Sequence, residues 1–141
     1  MKGRAFLDTN VVVYLYSDKE PGKRRSAHAI LDKYNCLISI QCLKEASNVW
    51  YKKFGWTGDF IKKHLANLEL VFDEILPINK STIYAAIDIK DEYHYSLYDC
   101  IMLASALESK FEIIFSEDMR DGQIIRNSLK ISNPFTGEVA T

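Results

Sequence analysis

The sequence predicts an α/β domain in which a mostly parallel central sheet is covered on both faces by helices. Two observations lead there. Short apolar runs at 3–8, 36–40, 74–78, 112–115 and 129–132 have the length and character of buried strands. Between them lie longer stretches whose apolar residues recur at helical spacing, as expected when parallel strands are joined through helices. A third observation concerns function. Asp8, Asp99 and Asp118 stand where apolar segments begin or end, and Glu45 interrupts an amphipathic helix.

Residues 3–8 read as the first strand. The run Val11-Val12-Val13-Tyr14-Leu15-Tyr16 suits a strand by its β-branched content. However, Asp8, Thr9 and Asn10 are all good helix N-caps, and a helix here turns the chain back after the strand, so helix is preferred. From 21 to about 34, Ala27, Ile30, Leu31 and Tyr34 share one helix face. Residues 36–40 form the next strand. Leu43, Ala46, Trp50 and Phe54 then mark a helix ended by Gly55, and a further helix follows Thr57 with Ile61, Leu65, Leu68 and Phe72 on one side. Residues 74–78 read as strand. The stretch from 79 to about 90 reads as a helix with Ile83, Ala86 and Ile87 inward. The helix from 96 to about 109 is apolar nearly all round, which suits a central helix packed on the sheet. Residues 112–115 and 129–132 complete the strands.

At 141 residues the chain fits one domain, 1–141, with a substantial core. Its 48% hydrophobic and 26% charged content is that of an ordinary globular protein. No apolar run approaches the roughly 20 residues that span a bilayer. The opening Met1-Lys2-Gly3-Arg4-Ala5-Phe6-Leu7-Asp8 meets an acid too early for a signal-peptide core, so a cytoplasmic location with no membrane association is expected. Cys36, Cys42 and Cys100 form no C-x-x-C pair and read as buried reduced thiols. A net charge of −1 gives no global attraction to nucleic acid, although acids gathered in one pocket can coexist with a basic rim.

Each acid has an ordinary structural reading. Asp8 can cap the first helix, and Ser96-Leu97-Tyr98-Asp99 matches a capping box. Glu45 can be a solvated helix residue, and Asp118 and Asp121, ahead of Gly122, can be turn residues. Capping and metal binding are compatible, because a helix start favours negative charge whether or not a cation is shared. Brought together at the carboxyl ends of the strands, where open α/β sheets bind ligands, four carboxylates need a cation to offset their repulsion. Carboxylate oxygens suit Mg²⁺, or Mn²⁺, rather than Zn²⁺. His28, His64 and His94 show no zinc spacing and read as surface or packing residues.

In order along the chain, Phe6-Leu7-Asp8-Thr9-Asn10, Leu43-Lys44-Glu45-Ala46, the run from Tyr98-Asp99-Cys100-Ile101 to Leu107, and Phe115-Ser116-Glu117-Asp118-Met119 resemble the PIN domain. The ending Ile131-Ser132-Asn133-Pro134-Phe135 is similar to VapC toxins of type II toxin–antitoxin systems. The resemblance implies a PIN-like α/β/α sandwich and a Mg²⁺-dependent endoribonuclease. It assigns Asp8, Glu45, Asp99 and Asp118 to the acidic cluster, with Asn10 and Ser116 as supporting polar groups. Ser116 departs mildly from the Thr of many relatives but keeps the hydroxyl. Asp121 is a looser match. The expected chemistry is hydrolysis of an RNA phosphodiester by water activated at one or two Mg²⁺ ions, with Asp8 and Asp99 as core ligands. The resemblance further implies an antitoxin partner and a homodimer.

The residues speak against other acidic-site families. Aspartyl phosphatases carry D-x-D after the first strand where this chain has Asp8-Thr9-Asn10, and no receiver-like phospho-acceptor Asp with a later Lys stands out. A non-catalytic PIN-fold module that binds RNA or protein is the main alternative, disfavoured by the intact acids. Trp50-Tyr51-Lys52-Lys53-Phe54-Gly55-Trp56 interleaves aromatic and basic residues as an RNA surface would, but Trp50 and Phe54 as core with solvated lysines is the simpler reading. Lys23-Arg24-Arg25 and Lys62-Lys63 read as solvated helix faces. The helices at 21–34 and 57–72 offer apolar stripes to a partner, though packing on the core explains them more simply.

Overall fold

The computed structural model describes residues 2–136; the remaining ends of the expected 1–141 domain, residue 1 and residues 137–141, lie outside the described residues. Strand β1 (Arg4–Leu7) leads into helix α1 (Thr9–Tyr14) and then α2 (Pro21–Lys33). Strand β2 (Asn35–Ser39) is followed by α3 (Ile40–Lys52) and α4 (Gly58–Val71). After β3 (Ile75–Leu76) come α5 (Lys80–Tyr93) and α6 (Leu97–Glu108), then β4 (Ile113–Phe115), β5 (Ile124–Ile125) and β6 (Leu129–Ser132).

The six-stranded sheet has the order β3-β2-β1-β4-β6-β5. β1 lies between β2, pairing Phe6 with Leu37, and β4, pairing Leu7 with Phe115, both in parallel. Every ladder is parallel except β5 against β6. Ala5, Phe6 and Leu7 are all fully buried, and because successive strand side chains face opposite ways, both faces of β1 are covered. From β1 the chain builds outward to β2 and β3, then returns to β4 on the other side. That reversal is a topological switch point, and it opens a crevice beyond the carboxyl ends of β1 and β4.

The ambiguous segment after β1 is helical, as preferred. Asp8 is extended and its side chain accepts a bond from Thr9 N, which fixes the helix start against the strand propensity of the three valines. Thr57 caps α4 by accepting from Phe60 N, and Ser96 caps α6 by accepting from Asp99 N. α6 buries seven consecutive residues, Cys100 to Ala106, in keeping with its all-round apolar sequence.

Three expectations require correction. Ile83 and Ile87 do not point inward: they are 39% and 46% exposed, and α5 buries Thr82, Ala86 and Ile89 instead. The inward stripe is therefore displaced by one residue, about 100° around the helix, and it admits Thr82 because that hydroxyl donates to Glu108 at 2.9 Å. Ile40 starts α3 and does not extend β2. Finally, β5 was not anticipated; at two residues it is too short to show a period.

Candidate active site

The crevice at the switch point is a cavity of about 660 Å³. Asp8, Glu45, Asp99 and Asp118 all line it, together with Thr9, Asn10 and Glu117. Each acid arrives on a different element. Asp8 ends β1, Glu45 lies in the second turn of α3, Asp99 is in the first turn of α6, and Asp118 follows β4.

Asp8 is the most constrained of them, being only 3% exposed. Its backbone N–H donates to Phe115 O at 3.0 Å, which continues the β1–β4 ladder to the site. Its Oδ2 accepts from Ser116 Oγ at 2.7 Å and its Oδ1 from Thr9 N at 2.8 Å. Burial pushes the Asp8 carboxyl up to about 7; the bonds from Ser116 and Thr9 offset part of this, and the charges of Asp99 and Glu45 add to it. Asp99 is also raised, first by burial, against a bond from Ser96, and then by the charges of Asp118 and Glu45. The acids therefore sense one another's charge across the cavity.

The polar neighbours hold the carboxylates in place. Asn10 Nδ2 donates to Asp118 Oδ2 at 3.0 Å and lies 3.5 Å from Asp8 Oδ2, while its Oδ1 accepts from Glu117 N at 3.3 Å. Ser116 Oγ donates to Asp8 and accepts from Asp118 N at 3.2 Å, so a single hydroxyl links two of the acids. Thr9 Oγ1 donates to Glu45 Oε1 at 2.7 Å. In the sequence Thr9 stands out only as a possible cap; its role toward Glu45, 36 positions away, is a tertiary contact.

Glu117 lines the same cavity but is already satisfied. Tyr14 OH donates to its Oε1 at 2.7 Å and Lys23 Nζ to its Oε2 at 2.8 Å. Lys23 also lies 4.8 Å from the centre of the Tyr14 ring, so it is not the freely solvated residue its helix face suggested. Asp121 is placed differently from the four. It does not line the cavity, and its Oδ1 accepts from Asn133 N at 2.8 Å, tying the turn after β4 to the end of β6.

The donor set fits a hard divalent cation: it is made of carboxylate and amide oxygens around a concentration of negative charge. Among the described residues, no three His, Cys, Asp or Glu side chains stand in a ready-made metal-holding arrangement. Asp8, Glu45 and Asp118 each accept a hydrogen bond from a protein donor. Cys42 is near enough to feel Asp8 and Glu45; burial raises its thiol first, a bond with Thr9 offsets part of this, and the two carboxylate charges add to it. All three cysteines are free, with Cys42 and Cys100 buried and Cys36 half-buried.

The same cavity is also lined by Val13, Tyr16, Val49, Lys53, Phe54 and Trp56, and by Asp18, Lys19 and Glu20 ahead of α2. Trp50 is fully buried, as the simpler reading of its segment required, whereas Phe54 and Trp56 are only half-buried and reach the cavity.

The PIN domain family matches residues 5–124. No curated protein sequence matches the chain. Among solved structures, the chain is similar to a toxin–antitoxin complex from Klebsiella pneumoniae, with a TM-score of 0.70 and 22% identity over 92% of this chain and 97% of that one. It is similar to VapBC2 from Rickettsia felis bound to a promoter DNA fragment, with a TM-score of 0.67 and 15% identity over 92% and 98% of the two chains. It is also similar to VapC20 from Mycobacterium tuberculosis, a toxin that cleaves the sarcin–ricin loop, with a TM-score of 0.60 and 17% identity over 81% and 91%. With the family matched over most of its length and the same fold in these structures, the chain belongs to the PIN domain family.

Proposed function

We propose that the protein is a Mg²⁺-dependent endoribonuclease, with Mn²⁺ as a substitute ion, and the toxin of a toxin–antitoxin pair. The observation that carries the nuclease reading is the set of four carboxylates on one cavity, with Asp8 buried and its carboxyl pushed up to about 7. The Lys23 ammonium is committed to Glu117 and Tyr14, not to this set. Asp8, Asp99, Asp118 and Glu45 are assigned as the groups that hold the ion or ions. When bound there, Mg²⁺ supplies Lewis acidity toward a phosphodiester and makes water a better nucleophile.

The chain's own residues prepare the site. Ser116 and Asn10 fix the orientation of Asp8 and Asp118, and Thr9 restrains Glu45. Glu45 or Asp118 is assigned the role of orienting the attacking water. Lys23 and Tyr14 both donate to Glu117, which offsets its charge within the same cavity. The toxin reading is supported by the fold shared with chains of toxin–antitoxin complexes, and it brings with it an antitoxin protein and a homodimer as expected partners. No helix among the described residues is long and apolar enough to cross a membrane.

Induced expression in a bacterial host, with RNA ends mapped for the wild type and for Asp8→Asn, tests both levels. Discrete cleavage with growth arrest only in the wild type is the expected result. Cleavage without growth arrest would retain the nuclease and remove the toxin role.

A further inference from the structure

Phe54 and Trp56 line the cavity without a role in holding the ion. Trp56 is held against the core: its ring stacks on the buried Trp50 at 5.1 Å with the planes 23° apart, and Phe54 meets it edge-on at 5.2 Å. His64 and Phe60 approach the same ring from α4, at 4.4 and 4.8 Å. A left-handed turn at Gly55, with φ of +66°, brings the chain back after α3, and Trp56 N donates to Trp50 O at 3.0 Å to close it. The result is a braced aromatic platform rather than a mobile ring. It occupies the same cavity as the acids, and Lys53 lines the wall beside it. Neither Lys53 nor Lys19, which also lines the cavity, is in an ion pair among the described residues.

We propose that Phe54 and Trp56, with Lys53 beside them, form a subsite for an unpaired nucleobase of the RNA next to the bond that is cut. This rests on the nuclease reading and adds to it which residues of this chain receive the nucleotide flanking the bond. An unpaired base offers a flat π-face to the platform and a phosphate to the lysine, whereas a paired base buries its faces against its neighbours. The cavity lies within the roughly 300–1,000 Å³ usual for small-ligand sites, so one nucleotide and its neighbouring phosphate fit it. The cavity carries the four acids, with Asp18 and Glu20, but also Lys19, Lys53 and the aromatic rings, a mixed lining that suits a reacting phosphate held through a cation and a flanking nucleotide held by stacking.

The test measures binding of a labelled single-stranded RNA of roughly a dozen nucleotides to the Asp8→Asn protein in Mg²⁺, by fluorescence anisotropy. An abasic site is placed at each position in turn, and the fully paired duplex is compared. A loss of about tenfold or more at one or two positions, and a similar loss for the duplex, is expected. Trp56→Ala should show the same loss with the intact strand and no further loss with the abasic one, while Trp56→Phe stays within about threefold of the parent. Lys53→Ala should lower the slope of log affinity against log salt by about 0.7. Equal binding of abasic and intact strands would overturn the subsite, as would a folded Trp56→Ala protein that loses only a protein partner. Because the abasic series changes only the RNA, that result is independent of any folding defect in Trp56→Ala. Failure of the nuclease reading is separately visible, since the wild type would then cut none of these strands.

Discussion

Asp8 carries opposite demands: it is buried as a core residue is, yet the proposed chemistry needs it charged. The sign of its effect on stability follows from its pKa, which rises from 3.8 to about 7 on folding. A carboxyl with a raised folded pKa contributes stability that is fully present below its unfolded value and lost as the pH rises through its folded value. In chelator the melting temperature should therefore fall between about pH 4 and pH 7 through this group, and Asp8→Asn should flatten that fall. Mg²⁺ competes with the proton for the carboxylate, so it should raise the melting temperature more at about pH 8 than at about pH 5. Equal Mg²⁺ stabilisation at both would argue against Asp8 as a ligand. Ser116 gives a second residue-scale test. Ser116→Ala removes the donor to Asp8 and the acceptor for Asp118 N, and it should weaken Mg²⁺ binding by about 10–100-fold, while Ser116→Thr retains it. Calorimetric titration of the three proteins distinguishes these outcomes.

Two elements offer predictions of their own. On α5, the sequence places Ile83, Ala86 and Ile87 inward, and the structure turns the face so that Ile89 is fully buried and Ile87 exposed. Ile89→Ala should cost about 2–5 kcal/mol, while Ile87→Lys should change stability by no more than about 0.5 kcal/mol, as read by chemical denaturation. The opposite ranking would restore the face read from periodicity. Periodicity misled here because the stripe includes Thr82, whose polar group is satisfied by Glu108 on α6, a contact that no single-helix pattern contains. On α2, Lys23 is anchored to Glu117 with both side chains largely shielded. Lys23→Met should cost on the order of 1 kcal/mol, a fall of about 3 °C in melting temperature, and leave Glu117 with Tyr14 as its remaining side-chain donor.

At the scale of the molecule, what was legible followed from local chemistry. The apolar runs and helix caps located β1, β2, β3, β4, β6 and the six helices, and the strand ends located Asp8 and Asp118. What was not legible depends on contacts between distant residues. Thr9 meets Glu45 across 36 positions and Lys23 meets Glu117 across 94, so neither pair leaves a mark in any window of sequence. Phe54 and Trp56 illustrate the same point, since only the fold decides that they reach the cavity while Trp50 does not. The acids occupy the middle ground: each has a sufficient local explanation as a cap, turn or helix residue, and only the switch point between β1 and β4 brings them to one cavity. The most direct test is cleavage of single-stranded RNA by the purified protein with Mg²⁺, with EDTA, and with Asp8→Asn of unchanged circular dichroism. Cleavage that EDTA abolishes, that excess Mg²⁺ restores and that Asp8→Asn lowers by more than about 100-fold is predicted. Cleavage at the wild-type rate by Asp8→Asn, or in EDTA, would contradict a metal-dependent nuclease centred on these four acids.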